Sequence, residues 1–185
     1  MSELVRDVFL KGNTIYLRAL QESDITGNYY YWLNDQDVVK YNSHGRFPQT
    51  IEKLREYVKN VSSSNDTLVL AIIDISSSQH IGNISLQRIH WIDRNAEIAF
   101  LLGEKSFHGR KIMTEAGLIL LNHGFRTLNL HRIYCGTSSE NLPMQKLAVR
   151  LGMLQEGIRK EAIYKNGAYL DMYEYGILKE DFLAK

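Results

Sequence analysis

Residues 96–116, AEIAFLLGEKSFHGRKIMTEA, set Gly109 among His108, Arg110 and Lys111, between an apolar strand pattern and a long helical one. A helix opening leaves backbone N–H groups unpaired and carries a partial positive charge, so a loop that turns them outward suits a phosphate. Glycine at 109 lets the backbone approach a ligand closely. The competing reading is an ordinary strand-to-helix turn with solvated basic side chains. Within the strand, alternation puts Glu97 on the face opposite Ala96, Ile98 and Phe100, where a carboxylate can point into a cleft. Its plainer role is a cross-strand partner for Arg88 or Arg94. His90 and Asp93 lie in the preceding turn, where a histidine is ordinarily just exposed. Cys135, on an apolar strand, reads as a small core residue rather than a nucleophile.

The elements that position these groups follow from pattern. Residues 14–19 alternate as a strand; Ser23-Asp24 caps a helix running to about Leu33, and Asn34-Asp35 ends it. Thr50 opens a second helix with Ile51, Leu54, Tyr57 and Val58 on one face, and 62–66 is a loop. Strands over 68–75, 81–89 and 96–102 are joined by turns short enough for antiparallel hairpins. The helix after Gly109 repeats apolar groups at Ile112, Ala116, Ile119, Leu120 and Phe125. A strand at 130–137 and a helix at 142–151 follow, with Pro143 in the first turn and Gly152 as its stop. The tail predicts two strands around Asn166-Gly167, the pair favoured in two-residue type I′ turns.

The 185 residues predict a single α/β (α+β) domain, 1–185, whose mixed, mostly antiparallel sheet is flanked by helices. A chain 44% hydrophobic and 23% charged can build a core, and a net charge of +1 gives no reason to expect a nucleic-acid-coating surface. No apolar run reaches the roughly 18 residues of a membrane span, and the first residues lack a secretory apolar region. One cysteine excludes an internal disulfide, so cytoplasmic residence is the expectation. The six histidines lack HExxH spacing, and no metal is expected. GxxxxGK[ST], GxSxG and GxGxxG are absent, which removes support for several enzyme classes.

At this point the chain resembles the GCN5-related N-acetyltransferase (GNAT) superfamily, closest to the branch containing ribosomal-protein N-terminal acetyltransferases. The resemblance runs from IYLRAL to YGILKEDF. It is carried by the strand–loop–helix at 96–116, by Asn141 through Gly152-Met153, by Glu156-Gly157-Ile158-Arg159, and by Asn166-Gly167 with Asp171. It implies acetyl-coenzyme A as co-substrate and direct transfer to a primary amine. Leu101, Leu102 and Gly103 would lie along the pantetheine arm, Phe107, His108, Gly109, Arg110, Lys111 and Ile112 would meet the pyrophosphate, and Asn141 would bond the arm. Asn141 has a plainer reading as a helix N-cap. Glu97 becomes the candidate general base, since acids on this strand act directly or through water in relatives.

Two departures stand out. The family's phosphate loop positions fall on Ser106, Gly109 and Lys111, so a lysine stands where glycine is usual; as a point charge it can still donate to phosphate. Ala148 and Met144 occupy positions where relatives carry the tyrosine or serine assigned to protonating the thiolate, so the resemblance supplies no acid. For the acceptor, Tyr31, Trp32, Asn34, His90 and Tyr164, with Tyr41, His44 and Tyr169, are candidates for a polar-aromatic pocket. The competing reading for most of them is half-buried packing. The segment WLNDQDVVKYNSHGRF is similar to acceptor-side segments of relatives in surface-polysaccharide pathways. A nucleotide-linked amino sugar or other small amine is therefore the first acceptor, with a protein N-terminus as the alternative. A monomer or homodimer is expected. Ser106, Lys111, Met144 and Ala148 also motivate a reading of another class, a non-catalytic coenzyme A-binding module.

Overall fold

The computed structural model describes residues 7–42, 44–165 and 167–184, with the His44 side chain outside that set. Strands β1 (Leu10–Lys11) and β2 (Ile15–Ala19) precede helices α1 (Glu22–Ile25), α2 (Asn28–Asn34) and α3 (Ile51–Ser62). Then come β3 (Leu68–Asp74), β4 (His80–His90), β5 (Asn95–Leu102), α4 (Ile112–Arg126), β6 (Arg132–Ser138) and α5 (Leu142–Arg150). The hairpin β7 (Leu154–Lys165) and β8 (Ala168–Leu178) and the short α6 (Lys179–Leu183) close the chain. The eight strands form one sheet in the order β1-β2-β3-β4-β5-β6-β8-β7. Every neighbouring pair is antiparallel except β5 and β6.

Period-2 alternation gives the sheet two apolar faces. On one, Ile84, Leu86, Ile98 and Ile133 form the main core with Ala116, Leu120 and Phe125 of α4 and Leu147 of α5. On the other, Ile25, Trp32, Leu54 and Val58 from α1–α3 pack with Leu101 of β5. Local chemistry sets the helix ends. Thr50 accepts the Lys53 amide at 3.2 Å as the N-cap of α3. Gly152, at φ +86°, ends α5 while the amides of Gly152 and Met153 return to the carbonyls of Val149 and Ala148, a Schellman motif.

The expected single helix from Ser23 to Leu33 is instead two. Its N-cap is Gln21, and Asp24 reaches back to accept the Gln21 amide at 2.8 Å. The cause is Arg18, which takes both Asp24 oxygens at 2.7 Å and fixes that carboxylate inside the first turn, while extended Gly27 breaks the helix. His80 Nδ1 adds a contact to Asp24 at 3.2 Å, and its Nε2 lies 2.8 Å from Asn83 Oδ1. Burial alone would raise the Asp24 pKa; hydrogen bonds from Arg18 and His80 outweigh it and hold the carboxyl well below the usual range. The tail hairpin also differs in extent. β7 extends back to Leu154, and bulges at Gln155/Gly157 and Arg159/Ile163 interrupt the alternation by which its first half could be read as a strand. Asn166 lies outside the described residues; Gly167 has φ +83°.

Candidate active site

The sheet opens at one place. β5 and β6 pair only at Asn95↔Arg132, Ala96↔Ile133 and Glu97↔Tyr134. Beyond Glu97 both strands continue, β5 still paired with β4 as far as Leu102 and β6 with β8 as far as Ser138. The facing edges 98–102 and 135–138 therefore part into a gap lined by backbone groups that an amide-bearing arm can bond as an added strand would. Leu101 and Leu102 are half-buried along this edge. Gly103 is buried, and a Cβ there would drive into the Trp32 ring, so only glycine allows that approach.

The loop at the mouth of the gap begins with a 3-10 turn, Lys105–Phe107, anchored by buried Phe107. The Arg110 guanidinium lies 4.8 Å from the Phe107 ring centroid, and His108 is exposed. Gly109 has φ +81° with open space where a side chain would be, and Ile112 buries the first turn of α4 in the core. Lys111 resolves the oddity of its position. It is the N-cap of α4 at φ +60°, the left-handed conformation that glycine supplies freely and that costs another residue on the order of 1 kcal/mol. The backbone shape is thus kept despite the substitution. Among the described residues, Gly109, Lys111, Ile112 and Met113 donate no backbone hydrogen bond, whereas Thr114 and Glu115 donate to the Lys111 carbonyl. Four free amides beside two flexible cations fit the pyrophosphate of acetyl-coenzyme A. Asn141 does cap α5, accepting the Met144 amide at 3.3 Å, and its Nδ2 donates to none of the described residues. That leaves both N–H groups of its side-chain amide at the end of β6, beside the gap.

Glu97 sits where β5 and β6 part. Arg88 Nη1 is 3.0 Å from Glu97 Oε2, the cross-strand pairing that was its alternative role. A bulge between Gln87 and His90 places Arg88 there at φ +52°. A second carboxylate, absent from the sequence-based set, faces the gap: a Cβ on Gly136 would lie within 3.5 Å of both Glu174 oxygens. Glu174 accepts from Arg159 Nε at 2.6 Å. Its only sequence signal is an acid inside the apolar run LDMYEYGIL. Burial, then the charges of Glu97 and Glu174, push the Cys135 thiol up to about 12, which makes it a poor nucleophile. Met144 is half-buried and Ala148 buried, and neither can donate a proton to a thiolate.

The acceptor residues do not form one pocket. Trp32 is 5% exposed and belongs to the α1–α3 core, where its Nε1 donates to Glu104 Oε1 at 3.2 Å. It supports the loop instead of lining a cleft. Asn34 is used up holding Gln49, donating to its carbonyl and accepting its amide, both at 3.1 Å. His90 pairs with Asp93 at 3.0 Å, opposite Asn95, and seven residues of β5, about 23 Å, separate it from the loop end. Tyr31 is exposed against Tyr30, and Tyr41 is exposed. Among the described acceptor candidates, Tyr164 lines a cavity with Gln36, Gly45, Arg46 and Lys165. Among the described residues no helix is long and apolar enough to cross a membrane, and no three His, Cys, Asp or Glu side chains stand together as metal ligands.

Comparison with known proteins matches this geometry. The family model described as Acetyltransferase (GNAT) domain fits residues 14–154. The probable N-acetyltransferase YjcK of Bacillus subtilis is 30% identical over 179 residues, 93% of this chain and 98% of that protein. The crystal structure of spermidine N-acetyltransferase from Vibrio cholerae with CoA and spermine superposes with a TM-score of 0.84 at 24% identity, covering 93% of this chain and 99% of that one. A structure of RimL, a ribosomal L7/L12 alpha-N-protein acetyltransferase with coenzyme A, gives 0.83 at 22% identity over 93% and 98%. The chain belongs to the GNAT family of N-acetyltransferases, enzymes that take their acetyl group from acetyl-coenzyme A.

Proposed function

We propose that the protein acetylates the primary amine of a small acceptor by direct transfer, and that the first acceptor class is a nucleotide-linked amino sugar. The observation that supports transfer is the parting of β5 and β6 after Glu97, followed by the loop that carries the free amides of Gly109 and 111–113. Acetyl-coenzyme A supplies the activated acyl group as a thioester. The loop amides, Arg110 and Lys111 hold its phosphates, and the β5 edge and Asn141 align the arm in the gap. Backbone N–H groups of 98–102 that face the gap are donors for the acyl oxygen as charge develops on it. Glu97 takes the proton of the incoming amine, directly or through one water, so that a neutral nitrogen attacks. The C–N bond forms as the C–S bond breaks, coenzyme A leaves as its thiolate, and the proton shed by the acylated nitrogen passes to that thiolate or to water.

Glu174 offers a second acceptor for an ammonium proton across Gly136. The acceptor class rests on the residues 32–47 and on the cationic lining of the cavity, which suits an anionic acceptor better than a polycation. Thiol release measured across a nucleotide amino sugar, spermidine and a peptide N-terminus tests both parts. Turnover with the sugar highest supports the reading. Turnover highest with the peptide favours the ribosomal-type alternative, highest with spermidine replaces the acceptor class, and coenzyme A binding without turnover leaves only a binding module.

A further inference from the structure

The cavity of about 370 Å³ beside the loop combines cations that have no counter-charge. Lys165 Nζ donates to the carbonyls of Val39 and Asn42 at 3.1 and 3.0 Å, which pins the ammonium and leaves one N–H. Arg46 forms no ion pair or hydrogen bond with any of the described residues. The nearby acids are engaged elsewhere: Asp35 and Asp37 both bind Lys105, at 2.9 and 3.0 Å. Burial, and then the charge of Arg46, hold the Lys165 pKa below its ordinary value. Tyr164 lines the same cavity and meets Tyr169 with ring centroids 5.0 Å apart, both rings more than half exposed. Gln36, which also lines the cavity, lies in sequence between the two aspartates that hold Lys105, so the cavity lining is continuous with the segment that anchors the loop after β5.

We infer that this cavity is a subsite for the phosphoryl part of the acceptor, with Arg46 and Lys165 binding a diphosphate and the Tyr164–Tyr169 pair stacking on a nucleoside base. The inference rests on the small-amine transferase reading and names the part of the acceptor that is recognised. A cation pair brings a phosphoryl group its charge-assisted hydrogen bonds, and the two exposed tyrosines, tilted 58° to each other, offer a base one ring face for stacking with the second ring beside it. The amine would then be presented from the cavity toward the gap between β5 and β6.

The test uses the whole protein saturated with coenzyme A, so that the loop amides are filled, and titrates inorganic pyrophosphate, UDP and malonate calorimetrically. Pyrophosphate is expected to bind one further site, and R46Q or R46Q/K165Q to weaken it at least tenfold. UDP is expected to bind more tightly than pyrophosphate and to lose that advantage in Y164A. Coenzyme A affinity of each variant, expected unchanged, reports correct folding, and R46Q alone alters only an exposed side chain. No binding of pyrophosphate or UDP, equal binding by the variants, or binding of malonate alone overturns the subsite. Thiol release is read separately. Acetylated amines without UDP binding overturn the subsite and leave the activity standing, whereas UDP binding sensitive to Arg46 without any acetylated amine leaves the subsite and removes the transferase reading.

Discussion

Arg88 holds its guanidinium 3.0 Å from the Glu97 carboxylate across β4 and β5, at the last residue pair before β5 and β6 part. Arg88 itself is exposed, while three quarters of the Glu97 side chain is covered, so the bulge in β4 delivers a charge to a partly sheltered acid. An exposed arginine exchanges readily with water, so the ion pair can open and leave the carboxylate to accept an ammonium proton.

Glu97→Gln is expected to lower kcat by about 10²–10⁴-fold, the range of a lost general base, without changing coenzyme A affinity. Steady-state kinetics with an accepted amine, beside coenzyme A calorimetry, separates the two effects. Unchanged turnover would remove Glu97 from the mechanism and turn attention to Glu174.

Lys111 makes a sharper prediction about the loop. If the left-handed backbone and its amides hold the pyrophosphate, Lys111→Gly keeps that shape, relieves strain and raises stability by about 0.5–1 kcal/mol. Coenzyme A affinity should stay within about threefold at physiological salt. A loss greater than tenfold would show that the lysine side chain, not the amide cradle, does the gripping.

Residue types alone leave the loop open between an anion site and an ordinary strand-to-helix turn, and only its place between the hairpin sheet and the Asn141-started unit favours the first. Lys111 was legible as a departure, but its left-handed backbone was not, since φ is set by tertiary context. Asp24 looked like part of a cap, yet its carboxylate is taken by Arg18 across a turn, a contact no periodicity encodes. Trp32 and Asn34 were drawn to the acceptor site by being aromatic and polar near Tyr31. Whether an aromatic residue faces a cleft or a core depends on which face of α2 meets β5, and Trp32 meets Gly103. Glu174 stayed hidden because nothing in its own strand reveals that Gly136 leaves space before it.

The Arg18–Asp24–His80 cluster predicts how stability varies with pH. Asp24 has a folded pKa depressed below its unfolded value of about 3.9. Its stabilisation is therefore present above that value and is lost as pH falls through the folded one. Asp24→Asn leaves Arg18 buried without its anion and is expected to cost about 3–5 kcal/mol at pH 7. Urea unfolding at pH 7 and pH 3 checks the sign: the difference between wild type and variant should shrink in acid. A difference constant with pH would mean that the carboxylate charge is not what holds α1.

Cys135 predicts the absence of an acyl-enzyme. With its thiol pushed up to about 12 by burial and by the charges of Glu97 and Glu174, almost no thiolate exists at neutral pH. The native protein should resist iodoacetamide for hours, and Cys135→Ala should keep turnover within about twofold while losing roughly 1 kcal/mol of stability from the lost packing. Mass spectrometry of a quenched reaction should show no acetylated cysteine, and a stable adduct at Cys135 would replace direct transfer by a two-step route.

Gly103 joins the two halves of the site. It follows the last residue of β5, and its missing side chain admits the Trp32 ring, whose Nε1 donates to Glu104 at 3.2 Å while Asn28 donates to the same oxygen at 2.8 Å. Lys105 then binds Asp35 and Asp37, beyond the end of α2. Three successive loop residues are thus fastened to α2 and the turn after it before the free amides at 109 and 111–113 begin. Gly103→Ala must move either the indole or the strand end, since the clash is with a packed ring and not with a flexible tip. The expected result is a loss of about 1–3 kcal/mol of stability and at least a tenfold weaker hold on coenzyme A, whereas Lys105→Ala, which cuts only exposed ion pairs, should cost under 1 kcal/mol. If Gly103→Ala weakened stability and left coenzyme A affinity intact, the loop would be set by its own turn, and α2 would be only its neighbour.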